Sequence, residues 1–256
     1  MRIVLIGSGN VASVLGRKMV NADHEIIQVY SRNANHASSL AEELKTTHTN
    51  DRAKIQMEAD IYILAVSDHA LSETSEWLRL GKKLVVHTAG SVSKNVLTPV
   101  SKNFGVLYPL QSLRKEMEKI PEIPLLIDGN TDDNITLIHD FAASISSYTQ
   151  NASDQQRELL HIAAVFVSNF TNHLYTMASD FCRNESLDFK LLLPLIKEVA
   201  NRISEHSPQE VQTGPAVRND DITINKHLSL LEKYPSMKEL YRNFSNNITQ
   251  YYSGSK

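Results

Sequence analysis

A chain of 256 residues can bury a substantial core without disulfide or metal staples and has room for one large or two small domains. With 41% hydrophobic and 21% charged residues it is not a disordered chain. Its 26 Lys and Arg against 29 Asp and Glu leave a net charge of −3, which offers no argument for a nucleic-acid or anionic-membrane partner.

The first half alternates short apolar runs with amphipathic segments. Runs at Arg2–Ile6, Glu25–Tyr30, 61–66, 83–87 and 105–108 suit strands covered on both faces. Between them, Asn10–Asn21 presents Val11, Val14, Leu15 and Met19 at helical spacing, and residues 35–44 and 69–80 behave alike. Alternation of this kind predicts βαβ units and a parallel sheet. From residue 154 to 184 runs one helical segment free of Gly and Pro. Leu159, Ala163, Phe166, Phe170, Leu174, Met177 and Phe181 form its apolar stripe. Further helices are predicted at 187–205, 221–232 and 236–251, and residues 253–256 are expected to fray. The fold class expected is α/β: a Rossmann-type doubly wound parallel sheet over 1–152, then an all-helical domain over 153–256. The lone Cys182 rules out an internal disulfide. No apolar run reaches the ~20 residues of a membrane span, and the start is too short for a secretory signal, so a cytoplasmic location is expected.

The first strand runs into Gly7-Ser8-Gly9-Asn10-Val11-Ala12, a G-x-G-x-x-A turn with a strand before it and a helix after it. Gly7 permits the tight turn, Gly9 lets the backbone approach a diphosphate, and Ala12 lets the helix lie close to the strand. The free N–H groups of the first helical turn complete an anion site. Gly7, Ser8, Gly9, Asn10 and Val11 are therefore expected to hold a dinucleotide. At the end of the second strand stands Tyr30-Ser31-Arg32-Asn33, without the carboxylate that would accept from a ribose 2′-hydroxyl. Ser31 and Arg32 suit a 2′-phosphate instead, so NADP (NADPH) is expected over NAD. Two more strand ends border the cleft. Val66 and Ser67 follow one, with Asp68 as a helix cap or a catalytic group; Thr88, Ala89, Gly90 and Ser91 follow the next, where hydride would move. Gln111, in Tyr108-Pro109-Leu110-Gln111-Ser112, belongs to the same rim.

Together MRIVLIGSGNVA, VYSR, ILAVSD, HTAGS, YPLQS, LHIAAVFVSNF and TGPAVRND resemble an uncharacterised family grouped with NADP oxidoreductases. Its members join a dinucleotide-binding domain, similar to deazaflavin-dependent NADP reductases, to a helical domain of unknown function. More distantly the layout is similar to pyrroline-5-carboxylate reductase, ketopantoate reductase and the 6-phosphogluconate and 3-hydroxyacid dehydrogenases. The resemblance implies an NADP-dependent oxidoreductase that dimerises through its helical domain; it supplies no substrate. One departure matters. The hydroxyacid dehydrogenases use a Lys-x-x-x-Asn pair on the long helix, and if Asn169 corresponds to their Asn, the lysine position holds Val165.

On that helix His161, Val165, Ser168, Asn172 and Tyr175 recur at steps of four, three, four and three, which predicts one face, with Asn169 beside it. As a histidine, His161 suits a general acid, Ser168 and Asn169 complete the catalytic candidates with Ser91, and Asn172 could orient a substrate. The bland alternative is a set of helix–helix hydrogen bonds. Thr213-Gly214-Pro215-Ala216-Val217-Arg218-Asn219-Asp220 offers close backbone approach at Thr213 and a carboxylate clamp in Arg218, which could come from a partner subunit. It is equally a turn capped by Asp220 or Asp221. Ten scattered histidines without paired spacing predict no metal. The expected function is hydride transfer to or from a small carbonyl or imine compound lying between the two domains. The alternatives are a non-catalytic NADP-binding sensor or interaction module, and hydride exchange with a deazaflavin. The expected partners are a small-molecule substrate and a second copy of the chain, with no nucleic acid and no membrane.

Overall fold

The computed structural model describes residues 1–254, and its contacts divide the chain into two units, Met1–Phe170 and the residues from Thr171 onward. The secondary structure changes from strand to helix at 152–153, where the composition also changes, but the helix Asp154–Ala164 stays with the first unit.

The first unit is built on an eight-stranded sheet in the order β3-β2-β1-β4-β5-β6-β7-β8. The strands are β1 (Arg2–Ile6), β2 (Glu25–Tyr30), β3 (Thr47–Thr49), β4 (Ile61–Leu64), β5 (Gly81–His87), β6 (Ser101–Pro109), β7 (Leu125–Gly129) and β8 (Thr149–Asn151). All neighbours are parallel except β6 and β7. In this unit lie the helices α1 (Asn10–Asn21), α2 (Ala34–Glu43), α3 (Asp68–Trp77), α4 (Asp132–Ile145) and α5 (Asp154–Ala164). The alternation of side chains along a strand explains the double cover. Ile3 and Leu5 pack into one apolar cluster with Val14, Leu15 and Met19 of α1 and with Phe141 of α4. Val4 and Ile6 point the other way, into a cluster with Leu71 of α3, Leu97 and Val100. Each such side chain contributes about 1.5–3 kcal/mol on full burial.

The parallel register aligns the carboxyl ends. Ile6 pairs with both Tyr30 and Leu64, and Leu64 and Val106 both pair with His87. The turns at Gly7, Ser31, Ala65 and Thr88 therefore leave one edge of the sheet, and chain order reverses between β1 and β4 there.

After α5 comes a π-helical turn, Val165–Phe170, and then α6 (Thr171–Asn184). The regular α-helix expected over 154–184 is thus interrupted. The second unit also holds α7 (Leu193–Glu205), α8 (Asp221–Leu230) and α9 (Pro235–Ser253). Ser253 is helical rather than frayed, and residues 255 and 256 of that expectation lie outside the described residues. Among the described residues beyond Phe170, only Cys182, Ala216 and Leu231 are buried hydrophobics. Of the predicted stripe, Leu159, Phe166, Phe170 and Leu174 are exposed, as are Leu191, Leu195, Val199 and Ile203. No helix of the described residues is long and apolar enough to cross a membrane.

Candidate functional site

The turn after β1 has the geometry its glycines require. Gly7 has a φ of +124°, and a Cβ there would lie 2.1 Å from the Ala65 carbonyl oxygen. Its N–H donates to Tyr30 O at 2.8 Å, which locks the turn to β2. A Cβ on Gly9 would meet nothing within 4 Å, so the turn is open on that side. Gly9 caps α1 without a side-chain hydrogen bond. The first-turn N–H groups of Asn10, Val11 and Ala12 are thus left with the positive end of the helix dipole. These features fit a diphosphate. Val11 contributes its backbone only, because its side chain packs on the core. Asn10 Oδ1 accepts from Lys115 N at 3.1 Å, and Ser8 Oγ donates to Ser31 Oγ at 2.8 Å.

A cleft of about 210 Å³ opens here, lined among others by Gly7, Ser8, Gly9, Ser31, Val66 and Ser67. Arg32 lies in its wall with Nη1 3.0 Å from Glu73 Oε2, and Glu73 Oε1 is 3.4 Å from His69 Nε2. Arg52 also lines it, its guanidinium 4.5 Å from the centre of the Trp77 ring, which is tilted against Tyr30 at 5.7 Å.

Beyond β4, Ser67 rather than Asp68 caps α3, accepting from Ala70 N. Asp68 instead accepts from Ser91 Oγ at 2.6 Å and ties the β4 and β5 loops together. Thr88 and Ala89 are buried: Thr88 N donates to Leu64 O at 3.2 Å, and Ala89 N donates to His87 Nδ1 at 3.2 Å. His87 is fully buried. Burial, then the charge of Arg157, pushes its pKa down to about 4, so the ring is neutral with its proton on Nε2. Among the described residues that nitrogen has no hydrogen-bond partner.

Arg157, projected from α5, is the largest fully buried side chain. Its Nε donates to Gly90 O at 3.2 Å, and Nη2 donates to Val92 O and, at 2.8 Å, to Asp154 Oδ1. Asp154 also accepts from Ser93 Oγ and Lys94 N. Burial works to raise its pKa, but the hydrogen bonds from Ser93, Arg157 and Lys94 outweigh it and hold the carboxyl below its usual value. One guanidinium thus clamps the loop after β5 onto α5.

Against that loop lies a hydrogen-bonded ring pair. Tyr108, at the carboxyl end of β6, places its hydroxyl 2.9 Å from His161 Nδ1, with the rings edge to face. A Cβ at Gly90 would come within 2.9 Å of Tyr108 Cζ and 3.0 Å of His161 Nδ1, so only glycine fits between loop and rings. Burial raises the Tyr108 pKa, and the smaller opposing effect of Arg157 does not cancel it; the phenol stays protonated.

The predicted residues divide as follows. His161 joins Tyr108 and Gly90, and Ser91 joins Asp68. Ser168 is half-buried and Asn169 exposed, both within the π turn. A π turn bonds i to i+5, so the three-and-four spacing from His161 through Val165 to Asn172 and Tyr175 does not mark one face, as had been expected. Gln111 is exposed, its Oε1 accepting from Ser112 N. Asn172, Thr213 and Arg218 lie in the second unit, all exposed. There Gly214 has a φ of +115°, and Asp220 caps α8 by accepting from Thr223 N. Among the described residues no three His, Cys, Asp or Glu gather to hold a metal ion. Sequence reasoning placed Tyr108 on the rim without giving it a role, and missed Arg157, Arg52, Trp77 and Glu73. Arg157 did leave a signal, standing four residues before His161 and so on its helical face.

Residues 2–90 match the family described as NADP oxidoreductase coenzyme F420-dependent, and residues 123–248 match the Domain of unknown function DUF2520. A crystal structure of a "putative NADP oxidoreductase BF3122" from Bacteroides fragilis shares 36% identity over 97% of this chain and 98% of its own, with a TM-score of 0.90. A 1-pyrroline-5-carboxylate reductase from Streptococcus pyogenes shares the fold at 13% identity over 98% of each chain, TM-score 0.68. So does an imine reductase from Myxococcus stipitatus in complex with NADP+, at 15% identity over 100% of this chain and 94% of its own, TM-score 0.64. No curated protein matches the chain.

Proposed function

The chain belongs to the family that joins a Rossmann domain of the NADP oxidoreductase type to a DUF2520 domain, and we propose that it is an NADP(H)-dependent oxidoreductase acting on a small carbonyl or imine compound. The observation that carries this is the Tyr108–His161 pair pressed against Gly90, on the same sheet edge as the phosphate-binding turn. In a dinucleotide fold the loop after β5, two strands from the Gly7 turn, is where the reacting ring belongs. NADPH, when bound, supplies a hydride to an electrophilic carbon. The residues of the chain supply the proton. The Tyr108 O–H donates to His161 Nδ1, which fixes the imidazole proton on Nε2, a nitrogen without a protein partner among the described residues. His161 then protonates the substrate oxygen or nitrogen, and Tyr108 orients the ring and follows with its own proton. This arrangement takes the place of the lysine whose position holds Val165. Ser168 and Asn169 orient the substrate, and Ser91, held by Asp68, lines the loop.

NADP is favoured over NAD by Arg32 at the wall of the cleft and by the lack of a carboxylate at the end of β2. The test is loss of NADPH absorbance across a panel of ketones, keto acids and imines. Tyr108→Phe and His161→Ala should each lower kcat by about 10²–10³-fold while NADPH affinity stays within about twofold. Tight NADPH binding without turnover on any class would overturn the enzymatic reading in favour of a nucleotide sensor.

We also propose that a second copy of the chain covers the exposed apolar positions of the helical region. Three buried hydrophobics beyond Phe170 cannot offset the ordering of so many residues, and two-fold self-association is the commonest way to cover such a face. Sedimentation should return twice the chain mass.

A further inference from the structure

We propose that Arg52 is a second phosphate-recognising residue of the cleft, held in place by Trp77, and that Glu73 is the internal anion a 2′-phosphate displaces from Arg32. The inference rests on the cofactor reading above and goes beyond it, to the residues that set the preference for a phosphorylated ribose.

The guanidinium on which that preference depends is already engaged. Arg32 Nη1 lies 3.0 Å from Glu73 Oε2, and both residues line the cleft. A carboxylate at that distance repels an incoming phosphate, so the pair must open on binding. Both partners are largely solvent-exposed, with 68% and 45% of their side chains accessible, and such a pair opens easily. The phosphate brings about 1.5 to 2 negative charges in place of one. Arg32 alone cannot balance it.

A second cation stands in the same wall. The sheet delivers it: Arg32 follows the end of β2 at Tyr30, and the neighbouring β3 leads into the turn Arg52–Lys54, capped by Asp51, so adjacent strands send one arginine each to one cleft. Arg52 has no carboxylate partner among the described residues. Its guanidinium lies instead over the Trp77 ring, which Tyr30 braces from the side. Stacking of this kind fixes the guanidinium plane and leaves its N–H edge free for phosphate oxygens. Arg52 is thus a prepositioned cation, and Arg32 is one that Glu73 must release.

The full-length chain is titrated with adenosine 2′,5′-bisphosphate and adenosine 5′-monophosphate, which differ only in the 2′-phosphate. Calorimetry gives the affinities, and Trp77, the single tryptophan, reports occupancy by its fluorescence. The bisphosphate should bind at least about tenfold more tightly, the worth of one or two charge-assisted hydrogen bonds. Arg52→Ala should cut that ratio by about five- to tenfold with monophosphate binding unchanged, which also certifies the fold of the variant. Glu73→Gln should tighten the bisphosphate by about three- to tenfold and leave the monophosphate alone. An unchanged ratio in Arg52→Ala, while Arg32→Ala abolishes it, overturns the role of Arg52 and leaves the cofactor reading standing. Weaker bisphosphate binding in Glu73→Gln overturns the displacement. Failure of both probes to bind the unaltered chain sinks this inference and the cofactor reading together.

Discussion

The two units of the chain carry similar amphipathic patterns and treat them differently. Up to residue 152 the apolar positions are packed into three buried clusters on and around a sheet. Beyond Phe170 the apolar positions of α7 remain largely in solvent, with Leu195 60% and Val199 51% exposed. A helical period thus states that a face will be covered, and says nothing of whether the cover lies in the same chain. In the first unit the sheet supplies it. In the second we assign it to another copy.

The contrast can be pressed experimentally. The largest effect is expected at Arg157, because Arg157→Met strips a buried guanidinium from Asp154, Gly90 O and Val92 O; unfolding in urea should show a loss of about 3–5 kcal/mol. A small loss there would mean that α5 is not an integral part of the sheet unit. Next comes His87. Its pKa of about 4 in the folded chain lies below its usual 6.5, so the unfolded chain binds the proton more readily between those values. Stability should be full above pH 6.5 and fall as pH drops through 4, by roughly 3 kcal/mol in all. Thermal unfolding against pH checks this, and His87→Phe should flatten that part of the profile. A paired substitution on the exposed face of α7, Leu195→Glu with Val199→Glu, should weaken self-association by about tenfold or more by sedimentation, since it buries charge at an interface. If the face stays in solvent, the same change shifts stability by no more than about 0.5 kcal/mol per site. The smallest effect belongs to Ser91→Ala, which removes one exposed hydrogen bond to Asp68 and should cost about 1 kcal/mol or less by the same urea assay.

What could be read in advance follows the same physics. β1, β2 and α1 were legible to the residue, because strands covered on both faces are continuously apolar and Gly9 marks the start of the helix. The strands β3 and β8 were not, because Thr47–Thr49 and Thr149–Asn151 carry no apolar run and exist only by pairing with a neighbour. Helix α4 left a usable signal that went unread: a Thr131 cap, then Ile138, Phe141, Ala142 and Ile145 at helical spacing. In the site, the glycine turn was visible because local backbone chemistry demands it, and Arg32 because it stands just past the end of β2, where no acid follows. Tyr108 with His161 and Arg157 with Gly90 were not, since their partners come from segments 53 and 67 residues away. The π turn had no signature, and it dissolved the face inferred from spacing alone.

The two rims of the sheet have a consequence of their own. Each is a polar strand of three residues, so a stray chain sliding alongside finds few rungs to grip and no greasy surface to settle on. Crowded molecules of this protein are therefore discouraged from zipping together through their backbones, and any lasting attachment between them is steered toward helical surfaces, where side chains rather than main chains decide who fits.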